Sequence, residues 1–337
     1  MPLTLAIVGF GRLAQGYYAP ALKLLEPDAR YVIVDPALQS RARAQEIFPE
    51  AKCFCGVDEL SGTLIDAVLI ASPPTTHFPI WCRLASANVP IFMEKPFPLP
   101  PELPLLESLH HNSAPMVINF NRRFWPPYQR LLGSVSAGAI GAPRTASLQL
   151  VIDDLSWNSV TNHRTMASEG GALQDLGGHV VDLACSFFDS FPAEVSAAQS
   201  QGPDGDWVSL TFRWPDGRSA SCIVGYGRSA RETILVVGSA GRLSMDNPHG
   251  RVWRGERTRP TLRWGARIVD LISCLTYAVR PARSLTRWST RAALGAFLRG
   301  IRTGEFIGPG LDDAIRGRSL GPWFRHASSH QKPTSSQ

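Results

Sequence analysis

The feature that most constrains the fold is an apolar run that leads directly into a glycine turn near the N-terminus. Residues 3–8 form a compact apolar run of the kind that fills a parallel strand covered on both faces. The turn that follows consists of Gly9, Phe10, Gly11, Arg12, Leu13 and Ala14. An apolar-periodic stretch then ends near Leu25, so the sequence predicts a strand, a glycine turn and a helix in that order.

This order gives the glycines a specific chemical use. Gly9 permits the tight turn, Gly11 lets the backbone approach a pyrophosphate, and Ala14 is small enough for the helix to pack on the strand. The N–H groups at the start of the helix, together with its positive dipole end, then face the phosphates. The segment from Gly9 to Leu13 is therefore the predicted phosphate-binding part of a dinucleotide site.

A second apolar run, residues 30–35, ends in an acid that bears on the choice of cofactor. Asp35 lies about 20 residues beyond the glycine turn, where a carboxylate accepts hydrogen bonds from the adenosine ribose. An acid at this place favours NAD because it would repel the 2′-phosphate of NADP. Arg41 and Arg43 lie close by in sequence and keep NADP open.

Strands that alternate with helical stretches across residues 1–120 predict a doubly wound Rossmann domain with a parallel sheet. In such a sheet, ligands bind beyond the carboxyl ends of the strands. Two predicted strands end in polar loops that we expect to face the cofactor, and these loops contribute Ser72, Pro73, His77, Glu94 and Lys95. Lys95 directly ends a buried strand and precedes a proline, so its ammonium is expected over the nicotinamide.

Residues 170–183 combine helical periodicity with residues that a helix does not favour. Two adjacent glycines, Gly177 and Gly178, each cost about 1 kcal/mol relative to Ala in a helix interior. Three polar residues at i, i+4 and i+7 share one stripe of this helix, namely Asp175, His179 and Asp182. We interpret the glycines as room for cofactor and substrate to approach the helix, and the stripe as the face that these ligands meet.

After residue 140 the pattern changes to short alternating or β-branched runs, with a turn signal at residues 214–218. These runs predict a meander of antiparallel strands. The expected domains are a Rossmann domain over 1–120, a substrate and oligomerisation domain over 121–290, closing helices over 291–327 and a disordered tail over 328–337. The fold class is thus α/β followed by α+β, with an open, mostly antiparallel sheet in the second domain.

Positive charge is concentrated in one part of the chain. The net charge is +6, yet residues 251–302 hold twelve arginines against two acids, Glu256 and Asp270. An apolar-periodic helix is predicted between Ile268 and Val279 in this segment. The segment 251–290 is interpreted as an insertion packed at a subunit interface or over the active site. A surface helix attracted to anionic lipid or to a phosphate-bearing substrate is the alternative.

The remaining totals exclude several classes of protein. At 337 residues with 44% hydrophobic and 18% charged residues, the composition is that of a soluble globular protein of two domains. The sequence shows no membrane span and no signal peptide, so we expect a cytoplasmic protein. The six cysteines show neither a disulfide framework nor paired zinc spacing, and no metal site is predicted. A local basic patch without a recognition module argues against nucleic-acid binding.

Several of these motifs occur together in a known family. The segments "AIVGFGRLA", "VIVDPALQSRA", "VLIASPPTTHFPI", "FMEKPFP", "NFNRRFWPPY" and "GGALQDLGGHVVDL" resemble, in order and spacing, the Gfo/Idh/MocA oxidoreductases. The resemblance covers about residues 3–190. It implies a Rossmann domain followed by an open sheet through which homodimers or homotetramers form. It also implies hydride transfer between NAD(P) and a hydroxyl or carbonyl carbon, commonly of a sugar or cyclitol.

The resemblance also implies which residues surround the reacting oxygen. The lysine of E-K-P and the Asp and His of D-x-G-x-H correspond here to Lys95, Asp175 and His179. Histidine suits proton transfer near neutral pH, so His179 is the candidate general acid/base. Lys95 would stabilise alkoxide character on the oxygen, and Asp175 would hold the imidazole or bind a neighbouring hydroxyl. Asp182 could contact the substrate or only brace the helix.

Further residues are assigned to the substrate with alternatives left open. Asn121, Arg122 and Arg123 contact substrate or cofactor, or they tie the domains together. Trp157, like Trp125, stacks on a sugar ring or packs at a hinge. Two other functions remain alternatives to the dehydrogenase, namely an imine reductase of natural-product or tetrapyrrole metabolism and a non-catalytic nucleotide-binding sensor or assembly subunit.

Overall fold

The computed structural model describes residues 2–99, 102, 104–106, 114–152, 171–202, 205–227, 231–247, 251–256 and 282–313. The backbone divides into two compact units. The first comprises residues 1–124 and 286–318, and the second comprises residues 125–285 and 319–337. We describe each unit by itself.

The first unit is built on a six-stranded parallel sheet. In chain order its strands are β1 (Thr4–Val8), β2 (Arg30–Val34), β3 (Lys52–Phe54), β4 (Ala67–Ile70), β5 (Ile91–Met93) and β6 (Met116–Ile118). Their spatial order is β3-β2-β1-β4-β5-β6, with the crossover between β1 and β4. This doubly wound order confirms the predicted Rossmann sheet.

Three helices and several short turns connect these strands. The helices are α1 (Ala19–Leu25), which a π-helical turn (Ala14–Tyr18) precedes, α2 (Leu38–Ile47) and α3 (Pro74–Leu84). Short 3₁₀ turns span Val57–Leu60, Ala85–Ala87 and Asn121–Phe124. A single π turn within a helix commonly marks a functional site, and here it directly follows the glycine turn.

Both faces of the parallel sheet are covered, which explains why its strands are continuous apolar runs. On β1, Leu5 and Ile7 belong to one buried cluster, whereas Ala6 and Val8 belong to another. All four side chains are almost fully excluded from solvent. A strand buried on both faces has no polar alternation, so the run at residues 3–8 has the composition that this position in the sheet requires.

The described residues of the second unit form a seven-stranded sheet and two helices. The strands are β7 (Pro143–Ile152), β8 (Glu194–Gly202), β9 (Gly205–Arg213), β10 (Ser219–Tyr226), β11 (Arg231–Gly238), β12 (Gly241–Asn247) and β13 (Arg251–Glu256). The helices are α4 (Pro126–Ser136) and α5 (Gly171–Phe188). The spatial order is β13-β12-β11-β7-β10-β9-β8.

The expected sheet is confirmed as mostly antiparallel, but the prediction of a simple meander is wrong at one place. β7 lies between β11 and β10 and runs parallel to β10, while every other pair in this sheet is antiparallel. The first strand is inserted into the middle of the sheet, which is a pairing between distant segments that local pattern does not specify. The predicted turn does join β9 to β10, closed by a bond from Trp214 N to Arg218 O of 3.0 Å.

One face of the second sheet is buried and the other is largely exposed. On β10, Ala220, Cys222 and Val224 are buried with α5, whereas Ser221 and Ile223 on the opposite face are exposed. Burial in this apolar cluster raises the pKa of the Cys222 thiol. The period of two along the strand is therefore the signature of a sheet with one covered face.

The chain returns to the first unit through α6 (Ala282–Thr303). Its residues Ala293, Leu294, Phe297 and Leu298 lie in the buried cluster that also contains β1 and β2. The helix begins nine residues before the predicted start at 291, and residues 251–256 of the predicted insertion form β13. The helix predicted between Ile268 and Val279 and the tail over 328–337 lie outside the described residues.

None of the described helices has the length and apolarity needed to cross a membrane.

Truncation of Phe297 tests whether α6 completes the first core. The Phe297 ring is fully buried and lies 5.4 Å from the Phe92 ring and 5.7 Å from the Phe306 ring, measured between centroids. We expect Phe297→Ala to lower the free energy of unfolding by about 3–5 kcal/mol, as measured by urea denaturation. Leu24→Ala, at a position 68% exposed, is the control and should change it by less than about 0.5 kcal/mol. Equal effects of the two variants would contradict this assignment.

Candidate active site

The glycine turn places backbone against backbone at the carboxyl end of β1. Gly9 has φ +88°, and a Cβ at this residue would lie 2.5 Å from Ser72 N in the loop after β4. Gly9 N also donates to Val34 O at the end of β2, at 2.8 Å. By contrast, a Cβ at Gly11 would meet no atom within 4 Å. The turn therefore needs Gly9 for its own packing and leaves open space beside Gly11.

The Asp35 carboxylate is fixed against this turn. Its Oδ2 accepts the Phe10 N–H at 2.7 Å, and its Oδ1 accepts the Ala37 N–H at 2.8 Å. The residue is 8% exposed. Each carboxylate oxygen can accept a second donor, so the group can still take a ribose hydroxyl while it braces the turn.

Arg41 and Arg43, the two arginines that left NADP as an alternative cofactor, each have a partner within the protein. Arg41 Nη1 donates to the carbonyl oxygens of Asp35 and Pro36, at 2.6 and 2.9 Å. Arg43 forms an exposed ion pair with Glu46. Neither contact uses the Asp35 carboxylate.

The other residues predicted in the turn divide between core and surface. Phe10 is fully buried, and its ring lies 6.2 Å from the Phe48 ring, so only its backbone can serve a ligand. Leu13 is half-buried against the same cluster, and Arg12 is exposed. The prediction that these residues contact the cofactor is thus narrowed to main-chain atoms for Phe10, and it stays a prediction for Arg12 and Leu13.

His77 connects the loops after β4 and β5. It lies in the first turn of α3, is 1% exposed, and places Nε2 2.8 Å from Ser72 O and Nδ1 3.1 Å from Pro96 O. Burial lowers the pKa of His77, and its two carbonyl partners and Glu94 partly oppose that shift. Both ring nitrogens are engaged with protein carbonyls, so its predicted contact with the cofactor gains no support from its hydrogen bonds. Ser72 also accepts a bond from the Thr76 hydroxyl at 2.7 Å.

Glu94 is the centre of a buried polar cluster. Its Oε1 accepts bonds from the Tyr18 hydroxyl and from Asn119 Nδ2, the latter at 2.7 Å, and its Oε2 accepts the Lys95 N–H at 3.1 Å. Asn119 Nδ2 also lies 3.0 Å from the Tyr18 hydroxyl. Burial and the neighbouring Glu94 carboxylate raise the pKa of Tyr18 well above its ordinary value, so the phenol stays a donor. Lys95 itself is half-buried.

In the second unit, the predicted polar stripe lies on α5, and its place beside Lys95 around a reacting oxygen stays a prediction. His179 and Asp182 are buried and Asp175 is half-buried, and the apolar neighbours Leu176 and Val180 lie in the core. The expectation for the glycines is wrong at Gly177, which is buried with its Cβ position 3.1 Å from Leu173 Cδ1. Gly177 thus makes room for a core side chain rather than for a ligand.

Two residues around α5 were not predicted from the sequence. The Tyr226 hydroxyl, at the end of β10, donates to Asp175 Oδ2 at 3.0 Å. Asp206 at the start of β9 accepts the Ala172 N–H at 2.7 Å and Gln199 Nε2 at 2.9 Å, so it caps the first turn of α5. The two contacts span 51 and 34 residues of sequence, and no local motif reports such pairs.

The residues predicted to bind substrate lie in different settings, and their contact with substrate stays a prediction. Asn121 Nδ2 donates to Ser289 Oγ of α6 at 3.1 Å, and Arg122 is buried in the 3₁₀ turn. These placements suit a structural role. Trp125 packs edge-on against Tyr128 in the core of the second unit, at 5.9 Å. Trp157 lies outside the described residues. Within the described ranges, no three His, Cys, Asp or Glu side chains come together as a metal site.

Comparison with known proteins assigns both parts of the chain. A model of the oxidoreductase family with an NAD-binding Rossmann fold matches residues 3–103, and a model of the GFO/IDH/MocA C-terminal domain matches residues 128–244. The chain belongs to the Gfo/Idh/MocA oxidoreductases. It is accordingly an enzyme of the NAD-dependent oxidoreductase class, with NAD as the cofactor of its Rossmann domain.

Several Gfo/Idh/MocA relatives share most of their length with this chain. Inositol 2-dehydrogenase from Rhizobium meliloti is 26% identical over 261 residues, or 73% of this chain and 76% of that protein. Myo-inositol 2-dehydrogenase from Thermotoga maritima is 26% identical over 264 residues, or 73% and 75% of the two chains. An Agrobacterium radiobacter oxidoreductase, solved with NAD⁺, L-tartaric acid and magnesium, has a TM-score of 0.76 at 17% identity and covers 98% of both chains. That structure shows the same fold.

The two glycines of the turn give a matched test of the cofactor site. Gly9→Ala would force a Cβ into the Ser72 backbone at a positive φ, so we expect a loss of stability of about 1–3 kcal/mol as well as weaker NAD binding. Gly11→Ala meets no protein atom, so it should leave the unfolding midpoint unchanged and weaken only NAD binding. Denaturation and calorimetric titration with NAD measure the two effects. Unchanged NAD affinity in Gly11→Ala would contradict the proposed approach of the pyrophosphate.

Proposed function

We propose that this Gfo/Idh/MocA enzyme is an NAD-dependent dehydrogenase of a sugar- or cyclitol-like substrate. It would transfer a hydride between the nicotinamide and a carbon that bears a hydroxyl or carbonyl group. The observation that carries the proposal is the stripe on α5, where Asp175 accepts a bond from Tyr226 beside the buried His179. The polyol-oxidising relatives named above support a polyhydroxylated substrate.

The cofactor fits the described residues of the first unit. The open space at Gly11 accommodates a pyrophosphate, and the Asp35 carboxylate has lone pairs left for a ribose. The Asp35 charge favours NAD over NADP. Bound there, NAD would supply the hydride acceptor, and the chain's own residues would hold the substrate and move its proton.

The acid/base roles follow from the chemistry of the side chains. In the oxidation direction His179 takes the hydroxyl proton, and in reduction it returns the proton. The Tyr226 phenol donates to one oxygen of Asp175, and the Asp175 carboxylate would hold the imidazole or bind a neighbouring substrate hydroxyl. Lys95 donates to the reacting oxygen and stabilises its alkoxide character.

Composition supports a chemical use for Lys95. The chain has 34 basic residues, of which only four are lysines: Lys23, Lys52, Lys95 and Lys332. Where only charge is needed this chain overwhelmingly uses arginine. A lysine at the end of β5 therefore suits a task that a compact ammonium performs better than a planar guanidinium, such as a single directed bond to an oxygen.

Substitution of the three proposed catalytic residues tests the mechanism. We expect Lys95→Ala and His179→Ala each to lower kcat by about 10²- to 10⁴-fold, with little change in the calorimetric affinity for NAD. The assay is a turnover screen of NAD and NADP against inositols, aldoses, keto-sugars and cyclic imines. Asp175→Asn should lower kcat less, because an amide can still accept the Tyr226 bond. Since these groups act together, the double variant Lys95→Ala/His179→Ala should lose far less than the product of the single losses.

The outcome of the screen also distinguishes the alternatives. Turnover of cyclic imines but not of polyols would replace the proposed substrate class with an imine reductase. Unchanged function in Lys95→Ala and His179→Ala would favour a non-catalytic nucleotide-binding protein. If no polyol or keto-sugar of a broad panel is turned over with NAD or NADP, the proposed substrate class is contradicted.

We further propose that the open face of the second sheet mediates self-association. Ile223 and Leu235, 41% and 36% exposed, lie on that face among short polar side chains. Burial of such a face in a homodimer or homotetramer would remove the apolar atoms from water. Light scattering should show an oligomer, and Ile223→Asp should shift it toward the monomer without changing the circular dichroism spectrum. A wild-type monomer at micromolar concentration would refute the proposal.

A further inference from the structure

Lys95 directly follows the last residue of the β5 region whose backbone takes part in the hydrogen-bond ladder of the sheet. The ladder at this edge ends with Glu94 N donating to Ile70 O at 2.9 Å and Asn119 N donating to Met93 O at 2.8 Å. The next residue after Lys95 is Pro96, which has no N–H and cannot extend a ladder. Side chains that reach the residues on either side of Lys95 therefore contribute to its position.

On the N-terminal side of Lys95, the Glu94 carboxylate is held from two elements. The Tyr18 hydroxyl reaches it from the π turn before α1, and Asn119 Nδ2 reaches it from the end of β6 at 2.7 Å. The same carboxylate accepts the Lys95 N–H through its other oxygen, at 3.1 Å. Tyr18 is fully buried, and Asn119 and Glu94 are 4% and 7% exposed. The bond network thus connects two neighbouring elements to the backbone of Lys95.

On the C-terminal side, His77 performs the equivalent task from α3. Its Nδ1 lies 3.1 Å from Pro96 O, and its Nε2 lies 2.8 Å from Ser72 O. A neutral ring donates to one of these two carbonyls and packs against the other, so the ring lies between the residue after Lys95 and the loop after β4, whose Ser72 packs against Gly9. The Lys95 N–H and the carbonyl of the next residue, Pro96, are thus each in contact with a buried polar side chain.

The cost of these groups argues that they serve more than folding. Burial of a phenol, a carboxylate, an amide and an imidazole is unfavourable unless each is hydrogen-bonded, and an apolar set of similar volume would avoid the cost. Asn119 Oδ1 is buried without a partner in the described part of the chain, so this amide directs its donors at Glu94 and Tyr18 at the expense of its acceptor. Such an arrangement gives a fixed geometry rather than maximal stability.

We propose that Tyr18, Asn119 and His77 are positioning residues that hold the backbone of Lys95 from both sides and thereby aim its ammonium. The proposal rests on the role given to Lys95 in the proposed function. In this proposal the three residues act through Glu94 and Pro96 rather than by direct contact with the reacting groups. A small displacement of a catalytic group is enough to matter, since an error of about 1 Å can cost about 100-fold in rate.

The chain offers a matched pair of tyrosine variants for the test. Tyr18→Phe removes the buried hydrogen bond to Glu94, whereas Tyr31→Phe removes a buried bond of 2.8 Å from Tyr31 to Glu26 O. Tyr31 lies near the start of β2, whereas Glu94 and Lys95 follow the carboxyl end of β5 in the same parallel sheet. A general loss of stability would affect both variants alike. His77→Gln, with His77→Phe as a second variant, tests the other side of Lys95.

The first readout is kinetic. Tyr18→Phe and the His77 variants should lower kcat about 10- to 100-fold with an unchanged KM for NAD, and should raise the primary deuterium isotope effect because hydride transfer becomes slower. Tyr31→Phe should change neither quantity. Equal kinetic losses in Tyr18→Phe and Tyr31→Phe would mean that the cluster is only structural, and would overturn the proposal.

The second readout needs no substrate, because the chain has only four lysines. Competitive acetylation of the full chain by trace acetic anhydride, with peptides quantified by mass spectrometry, gives the reactivity of Lys95 relative to Lys23 and Lys52. We expect this ratio to change at least threefold in Tyr18→Phe and in His77→Gln and to stay constant in Tyr31→Phe. An unchanged ratio in both test variants would refute the positioning role. A changed ratio, together with wild-type turnover by the Lys95→Ala variant, would instead refute the catalytic role of Lys95 in the proposed function. It would still support the positioning role of Tyr18 and His77.

Discussion

The contact between Gly9 and the backbone of Ser72 is the constraint on which the rest of the first unit depends. At 2.5 Å, the position of a Cβ on Gly9 is already occupied by Ser72 N, so only glycine lets β1 end this close to the loop after β4. The same turn aims Phe10 N at the Asp35 carboxylate and brings the ends of β1 and β2 together. The Ser72 carbonyl oxygen lies 2.8 Å from His77 Nε2, and His77 Nδ1 lies 3.1 Å from the carbonyl oxygen of Pro96, the residue after Lys95. One backbone contact thus sets the spacing of three loops at the carboxyl edge.

Much of this architecture could be predicted from the sequence because its determinants are local. A strand covered on both faces needs a continuous apolar run, and β1 has one; a strand with one covered face alternates, and β10 does. The turn between β9 and β10 carries its own signal at Asp216 and Gly217, where Gly217 takes φ +83°. The family assignment likewise rested on short motifs, and the matching family models confirm it.

What could not be predicted depends on contacts between distant segments. The insertion of β7 beside β10 joins residues about 75 positions apart, and no periodicity records it. The Tyr18 bond to Glu94 spans 76 residues, and the Tyr226 bond to Asp175 spans 51. The sequence motifs identified Glu94 and Asp175 but not Tyr18 and Tyr226, whose hydroxyls bond them. A tyrosine in a helix or at a strand end shows the same local pattern whether its ring only packs in the core or its hydroxyl also orients another side chain. Phe10 likewise combines two roles that its local pattern does not separate, since its side chain packs in the core while its N–H donates to the Asp35 carboxylate.

The distribution of buried polar groups in the first unit links stability to function. Four of them, Asp35, His77, Glu94 and Asn119, follow the ends of β2, β4, β5 and β6. Each is hydrogen-bonded within the unit, and without these bonds its burial would be unfavourable. Parallel strands offer no ladder beyond their last residue, so the loops of the carboxyl edge would otherwise sample several conformations. Buried polar bonds remove that freedom before any ligand arrives, and the entropy of ordering the loops is then a cost of folding rather than of binding.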